Sequence, residues 1–244
     1  MSKNSLQQII SLITWSYIRN KSLIILCSVV QFFMTIALVF GYSLIIPETN
    51  TEIKSYLASG AVTMGMIAIG CTISAQIVSN DKQSGIVTYL KTLPVKRQFI
   101  LLSDLFVWTL SSLFGVCISF TIVFLTFGLA PRVSFLHLIV LLILVTMLNL
   151  GFTIAYCSSP NLMTLTTQLI LMIGLLFSPI LFPARRIPTF ILNGYKFLPF
   201  VPSGDLMRNS IFLRKTISVS NILILLVWFT VCFFISLKYL NKMN

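Results

Sequence analysis

Six apolar stretches, each near the length of a membrane-crossing helix, take up most of this chain of 244 residues. They run roughly from Leu23 to Ile46, Leu57 to Val78, Phe99 to Phe127, Phe135 to Tyr156, Leu162 to Leu181 and Ile222 to Tyr239. A helix needs about 20 apolar residues to cross a hydrocarbon core of about 30 Å. Open strands would leave backbone groups unpaired in lipid, so each stretch is read as a helix. The third is long enough to tilt or to extend beyond the bilayer. The predicted fold is therefore an all-α integral membrane protein with six spans, forming a single domain over 1–244.

The polar residues are too few for a water-facing surface. Charged residues make up 9% of the chain, against about 25% in soluble domains. The excess of 17 Lys and Arg over 5 Asp and Glu does not indicate nucleic acid. These charges lie in short loops beside apolar spans, where they set topology and touch anionic headgroups of the membrane lipid. Cys27, Cys71, Cys117, Cys157 and Cys232 lie in or at the ends of apolar stretches without CxxC spacing. They read as packing residues, not as a disulfide or metal framework. The polar, amphipathic first 20 residues give no cleavable signal peptide, and the first span serves as the insertion signal.

Residues 5–18 place Leu6, Ile9, Ile10, Ile13 and Tyr17 at helical spacing. That pattern fits a helix lying in the membrane interface, or an extension of the first span. The short flanks that hold Lys3, Arg19, Lys21, Lys82, Lys91, Lys96, Arg97, Lys238 and Lys242 fall on one side, against Lys54 and Arg132 on the other. The positive-inside rule then puts both termini in the cytoplasm and segment 182–221 outside.

Several chemistries are disfavoured by what the spans lack. Asp104 sits near the start of the third span and His137 near the start of the fourth, with nothing titratable at any span's centre. Ion-coupled carriers place such groups near the midplane. One His, with Glu48 and Glu52 confined to a loop, makes a poor intramembrane metal site, and no base partner for serine chemistry is evident. No GxxxxGK string occurs, so nucleotide chemistry would sit on another polypeptide. No catalytic or metal-binding residues are expected on this chain. Gln31, Gln76, Asn149 and Gln168 lie inside spans; they fit interhelical hydrogen bonds or, less simply, a substrate path. Small-residue pairs, Ala61 with Gly65 and Gly174 with Ser178, mark candidate close helix contacts.

Two segments break the apolar pattern. The first runs from Ser79 to Arg97. Ser79 or Asn80 can cap a helix with Asp81 in its first turn. Ile86, Leu90 and Leu93 would give it one apolar face, and Pro94 would stop it. The second runs from Ser178 to Arg208 and holds five of the nine prolines, Pro179, Pro183, Pro188, Pro199 and Pro202. Prolines forbid one continuous helix, while Phe182, Ile187, Phe190 and Phe197 make the segment too apolar for a free loop. A broken re-entrant helical pair suits both facts. Asp205 and Arg208, at i, i+3, are spaced to pair on its return.

These two segments resemble those of the ABC-2 family of exporter permeases. Ser84, Gly85, Pro94, Lys96 and Arg97 match a loop of Ser-Gly, apolar helix, Pro and basic residues after span two. Ser178, Pro179, Phe182 and Pro183 match a Ser-Pro-x-x-Phe-Pro run ending span five, followed by Pro202 and the Asp-x-x-Arg of Asp205 and Arg208. The sequence departs from the family in carrying only Asp81 as acid before Ser-Gly. The resemblance implies two six-span permeases, identical or sister subunits, and a dimer of ABC ATPase subunits that binds ATP and Mg. The coupling helix would be 81–93, with Asp81, Lys82, Ser84, Gly85, Ile86, Tyr89, Leu90, Leu93 and Pro94 as its contacts. The extracellular gate would comprise Ser178, Pro179, Phe182, Pro183, Pro202, Asp205 and Arg208.

The expected function is export of an amphipathic or hydrophobic cargo, a toxin or antimicrobial peptide or a drug, across a bacterial plasma membrane. A lipid-linked glycan is an alternative cargo, and a non-transporting sensor or assembly subunit is an alternative role. Phe106, Phe114, Phe120 and Phe124 on span three, with Asn149 and Gln168, are candidates to line the path; the phenylalanines fit equally a lipid-facing or bundle-packing role.

Overall fold

The computed structural model describes residues 3–45, 51–129, 133–176, 180–181, 194–213 and 218–242. Among these, every regular element is helical. In chain order they are α1 (Lys3–Arg19), α2 (Leu23–Ile45), α3 (Thr51–Ile67), α4 (Ser74–Gln83), α5 (Ile86–Thr92), α6 (Arg97–Phe127), α7 (Val133–Cys157), α8 (Pro160–Leu176), α9 (Phe200–Leu206) and α10 (Val219–Lys242). A π-helical segment, Ala68–Ile73, joins α3 to α4, and another, Met207–Phe212, extends α9.

Among the described residues, five helices are long and apolar enough to cross a bilayer: Leu23–Tyr42, Ile53–Gln83, Arg97–Phe127, His137–Cys157 and Val219–Lys242. The stretch predicted over 162–181 corresponds to α8, whose apolar run Pro160–Ile173 is shorter. α1 is a separate helix, not a continuation of α2. It ends at Arg19, and a turn closed by Leu23 N–H donating to the Asn20 carbonyl at 2.8 Å redirects the chain.

The span over 53–83 is the most deeply buried and α10 the least. α2, α6, α7 and α8 pack on that central span, with α1 laid on α6 and α10 on α7, and small residues set how close they come. A Cβ on Gly65 would run into Gln31, and one on Gly115 would meet the Cys27 carbonyl and the Gln31 stem. α2 thus lies tightly between α3 and α6. Gln31 donates Nε2 to the Val62 carbonyl at 3.2 Å, and Thr35 and Ser119 share a hydrogen bond at 2.6 Å. On the other flank a Cβ on Gly151 would collide with the Gly70 carbonyl, so α7 crosses the π segment at backbone contact. Asn149 donates Nδ2 to the Phe229 carbonyl at 2.8 Å, and Thr153 bonds the Ser236 hydroxyl at 2.9 Å, fastening α7 to α10. Gln31 and Asn149 therefore take the interhelical role that their sequence positions allow.

The π segment has a visible hydrogen-bond cause. The Ser74 N–H reaches back five residues to the Ile69 carbonyl. The carbonyl of Gly70, its ordinary α-helical acceptor, receives the Ser74 hydroxyl instead. The side chain thus replaces the backbone donor that the wider turn takes away.

Candidate functional site

The chain turns sharply at the end of the central span. Gly85 has φ +81°, a left-handed conformation that β-carbon sterics disfavour in other residues. Nothing lies within 4 Å of where its Cβ would be, so the backbone and not space selects glycine. This moves the predicted start of the segment's helix. Ser79 and Asn80 cap nothing; they lie inside α4, which runs unbroken to Gln83, because no residue before Gly85 interrupts the helix. Asp81 and Lys82 thus belong to the central span's end, and the short helix is Ile86–Thr92. It stops at Leu93, extended at φ −71° and ψ 141°, the conformation that a following proline enforces.

α5 is seated through one face. Leu90 is buried with Leu12 of α1 and Ile100 of α6, and Ile86 and Leu93 pack on the same cluster. Ser84, Thr88, Tyr89, Thr92 and Pro94 remain exposed. Between α1 and α5 lies an open groove of about 600 Å³ lined by Gln8, Ser11, Trp15, Tyr89, Leu93 and Pro94. Lys82 caps the end of α7 by donating to the Tyr156 and Ser158 carbonyls at 3.3 Å each, and Arg97 donates to the Leu240 carbonyl at 3.3 Å. Burial, with Arg97 and Lys82 nearby, holds the Lys91 ammonium below the usual lysine range.

Beneath α5 is an ionic cluster. Arg19 places Nη2 3.0 Å from Oδ1 of Asp104 and 3.6 Å from Oδ2 of Asp81. The Ser16 hydroxyl donates to the same Asp104 oxygen at 2.5 Å, and the guanidinium carbon lies 4.6 Å from the Trp15 ring centroid. Asp104 and Ser16 are buried. Asp104 and Asp81 stand out in the sequence, whereas Arg19 reads there only as a topology charge. An acid inside an apolar stretch calls for a cation; which one is invisible across a separation of 85 residues.

The opposite end holds a second arginine. Arg208 is buried; it donates to Asp205 at 2.8 Å and lies 3.6 Å over the ring of Tyr56, on α3. Tyr56 had no sequence signal. Pro202 occupies the first turn of α9, where its missing N–H costs nothing. Ile180 and Leu181 are buried against Gly60, and Ile180 also meets Gly204. Ser178, Pro179, Phe182 and Pro183 lie outside the described residues.

The candidate path residues do not converge. Phe106, Phe114, Phe124 and Gln168 are exposed, Asn149 is buried, and Phe120 packs on Phe212 with ring centroids 6.1 Å apart. Phe106 lines an apolar groove of about 550 Å³ with Ile9, Leu105, Leu110, Leu141 and Phe229. The Ser103 and Thr109 hydroxyls in that groove bond their own helix carbonyls, of Ile100 at 2.9 Å and Leu105 at 2.7 Å.

Long apolar helices around one buried central span, with a short amphipathic helix at its end, define a multi-pass membrane protein. The ABC-2 type transporter family matches residues 5–212, and the chain belongs to that family. It is a transport component and not itself catalytic, and permeases of this family generally work with an ABC ATPase subunit. No curated protein matches the chain.

Proposed function

We propose that the chain is the permease subunit of an ATP-driven exporter that moves an amphipathic or hydrophobic cargo, such as a toxin or antimicrobial peptide or a drug. The observation that carries the reading is α5. It is a short helix anchored by Leu90, exposing Thr88, Tyr89 and Thr92, and joined through Gly85 to the most buried span. A soluble partner pressing on that face acts directly on the centre of the bundle. The ATPase docks there from the cytoplasm and carries the ATP and Mg²⁺. A second permease, identical or sister, faces α8, whose Leu162, Leu165, Leu169, Met172 and Ile173 are exposed in one apolar row. An unburied row of this kind suits a partner helix or the wall of an apolar path.

The test is co-purification of the tagged chain with an ABC ATPase, followed by reconstitution into proteoliposomes. Hydrolysis stimulated by the permease, and ATP-dependent movement of an amphipathic fluorescent peptide or drug, are expected. An ATPase that binds but is never stimulated, with no cargo movement, would favour a sensor or assembly role.

A further inference from the structure

We propose that Arg19 is a positioning residue for α5: one guanidinium fastens both helices that flank it, so that α5 moves as a rigid lever on α1 and α6. The proposal rests on α5 being the face where the ATPase docks. Asp81 lies at the end of α4, just before the Gly85 turn, and Asp104 lies two turns into α6, just after α5. Arg19 reaches both, at 3.6 Å and 3.0 Å. Trp15 covers the guanidinium and Ser16 holds the Asp104 carboxylate from the same helix. Both contacts are made by one nitrogen, Nη2, so the two carboxylates share a single cation. Without the cation, two acids would converge in a poorly solvated site and repel each other. Asp81 is thereby assigned to an internal contact with α1, and the ATPase meets the exposed residues of α5 instead.

The experiment uses Asp81→Ala, which leaves the Arg19–Asp104 pair in place, together with Arg19→Gln and the double variant. In proteoliposomes with the ATPase, each is expected to keep the ATPase bound while stimulated hydrolysis falls at least about fivefold. The double variant should be no worse than Arg19→Gln, and Asp81→Glu should restore most of the stimulation. A second readout needs no ATPase. With cysteines placed at Gln8 and Tyr89, which line the same groove, in an otherwise cysteine-free chain, a short bifunctional maleimide should cross-link α1 to α5. Asp81→Ala should cut that yield about fivefold. Unchanged cross-linking in both single variants overturns the proposal whatever hydrolysis does, as does loss of ATPase binding alongside stimulation. If the unmodified chain stimulates no ATPase but cross-linking still depends on Asp81, the clamp stands and the docking reading falls.

Discussion

Arg208 and Tyr56 are stacked, the guanidinium carbon 3.6 Å above the ring centroid, although 152 positions separate them in the chain. The contact ties the segment after α9 to the N-terminal end of the central span, while Asp205 takes the remaining charge at 2.8 Å. A desolvated cation–π contact contributes about 2 kcal/mol, and stranding one member of a buried ion pair costs about 3 to 5 kcal/mol. Removing Asp205 strands the buried Arg208, whereas removing Arg208 strands the more exposed Asp205, so the stranding cost of the latter should sit at or below the lower figure.

From this arrangement, Asp205→Ala, Arg208→Ala and Tyr56→Leu are each expected to lower export severalfold without weakening ATPase binding. The Asp205–Arg208 double variant should be no worse than the worse single one. Tyr56→Phe keeps the ring and should export normally. Transport into inverted vesicles, with ATPase pull-down in parallel, checks this; full export by both single ion-pair variants would remove the Arg208 contacts from the mechanism.

At the other end, Gly85→Val meets no neighbour within 4 Å, so its cost is the left-handed backbone alone, about 1 to 2 kcal/mol. Leu90→Asp instead puts a charge into the Leu12–Leu90–Ile100 cluster. Both variants should insert normally and lose most ATPase stimulation. Wild-type stimulation and export in the two together would count against α5 as the coupling element.

Gly151 offers a stability test independent of transport. A side chain there must push α7 away from the Gly70 carbonyl. Gly151→Leu should lower stability in detergent by about 3 kcal/mol, and Gly151→Ala by about 1 kcal/mol. Thermal unfolding followed by fluorescence-detected gel filtration measures this, and an unchanged Tm for Gly151→Leu would contradict the packing.

The orientation can be tested by single-cysteine labelling in a cysteine-free chain. Thr88→Cys and Gly194→Cys both lie at exposed positions. An impermeant maleimide added to intact cells should label Gly194→Cys and spare Thr88→Cys. The reverse pattern would invert the topology.

The helices were legible in the sequence because a bilayer leaves long apolar runs few alternatives, as α2 and α6 illustrate. The polar interior was legible as residue types: Gln31 and Asn149 stood out against their surroundings and are hydrogen-bonded between helices. Partners were not. Nothing local to Arg19 points to Asp104, and nothing in Tyr56 distinguishes it from an interfacial aromatic. The helix break was misplaced for a related reason. Ser79 and Asn80 are good caps wherever a helix begins, but the central span simply continued through them to the glycine. Gly70 and Gly151 were unremarked because close packing between single glycines leaves no repeat to recognise.

The π segment bears on how this span tolerates a change in its length. Each residue of an α-helix turns the chain by about 100°, so a deletion almost anywhere between Tyr56 and Asp81 would swing one of them away from its arginine. A widened turn already holds a surplus residue. Losing one between Ala68 and Ile73 would regularise the helix and leave both ends facing as before. In a span whose two ends are each held by a distant arginine, that segment is a natural place for its length to vary.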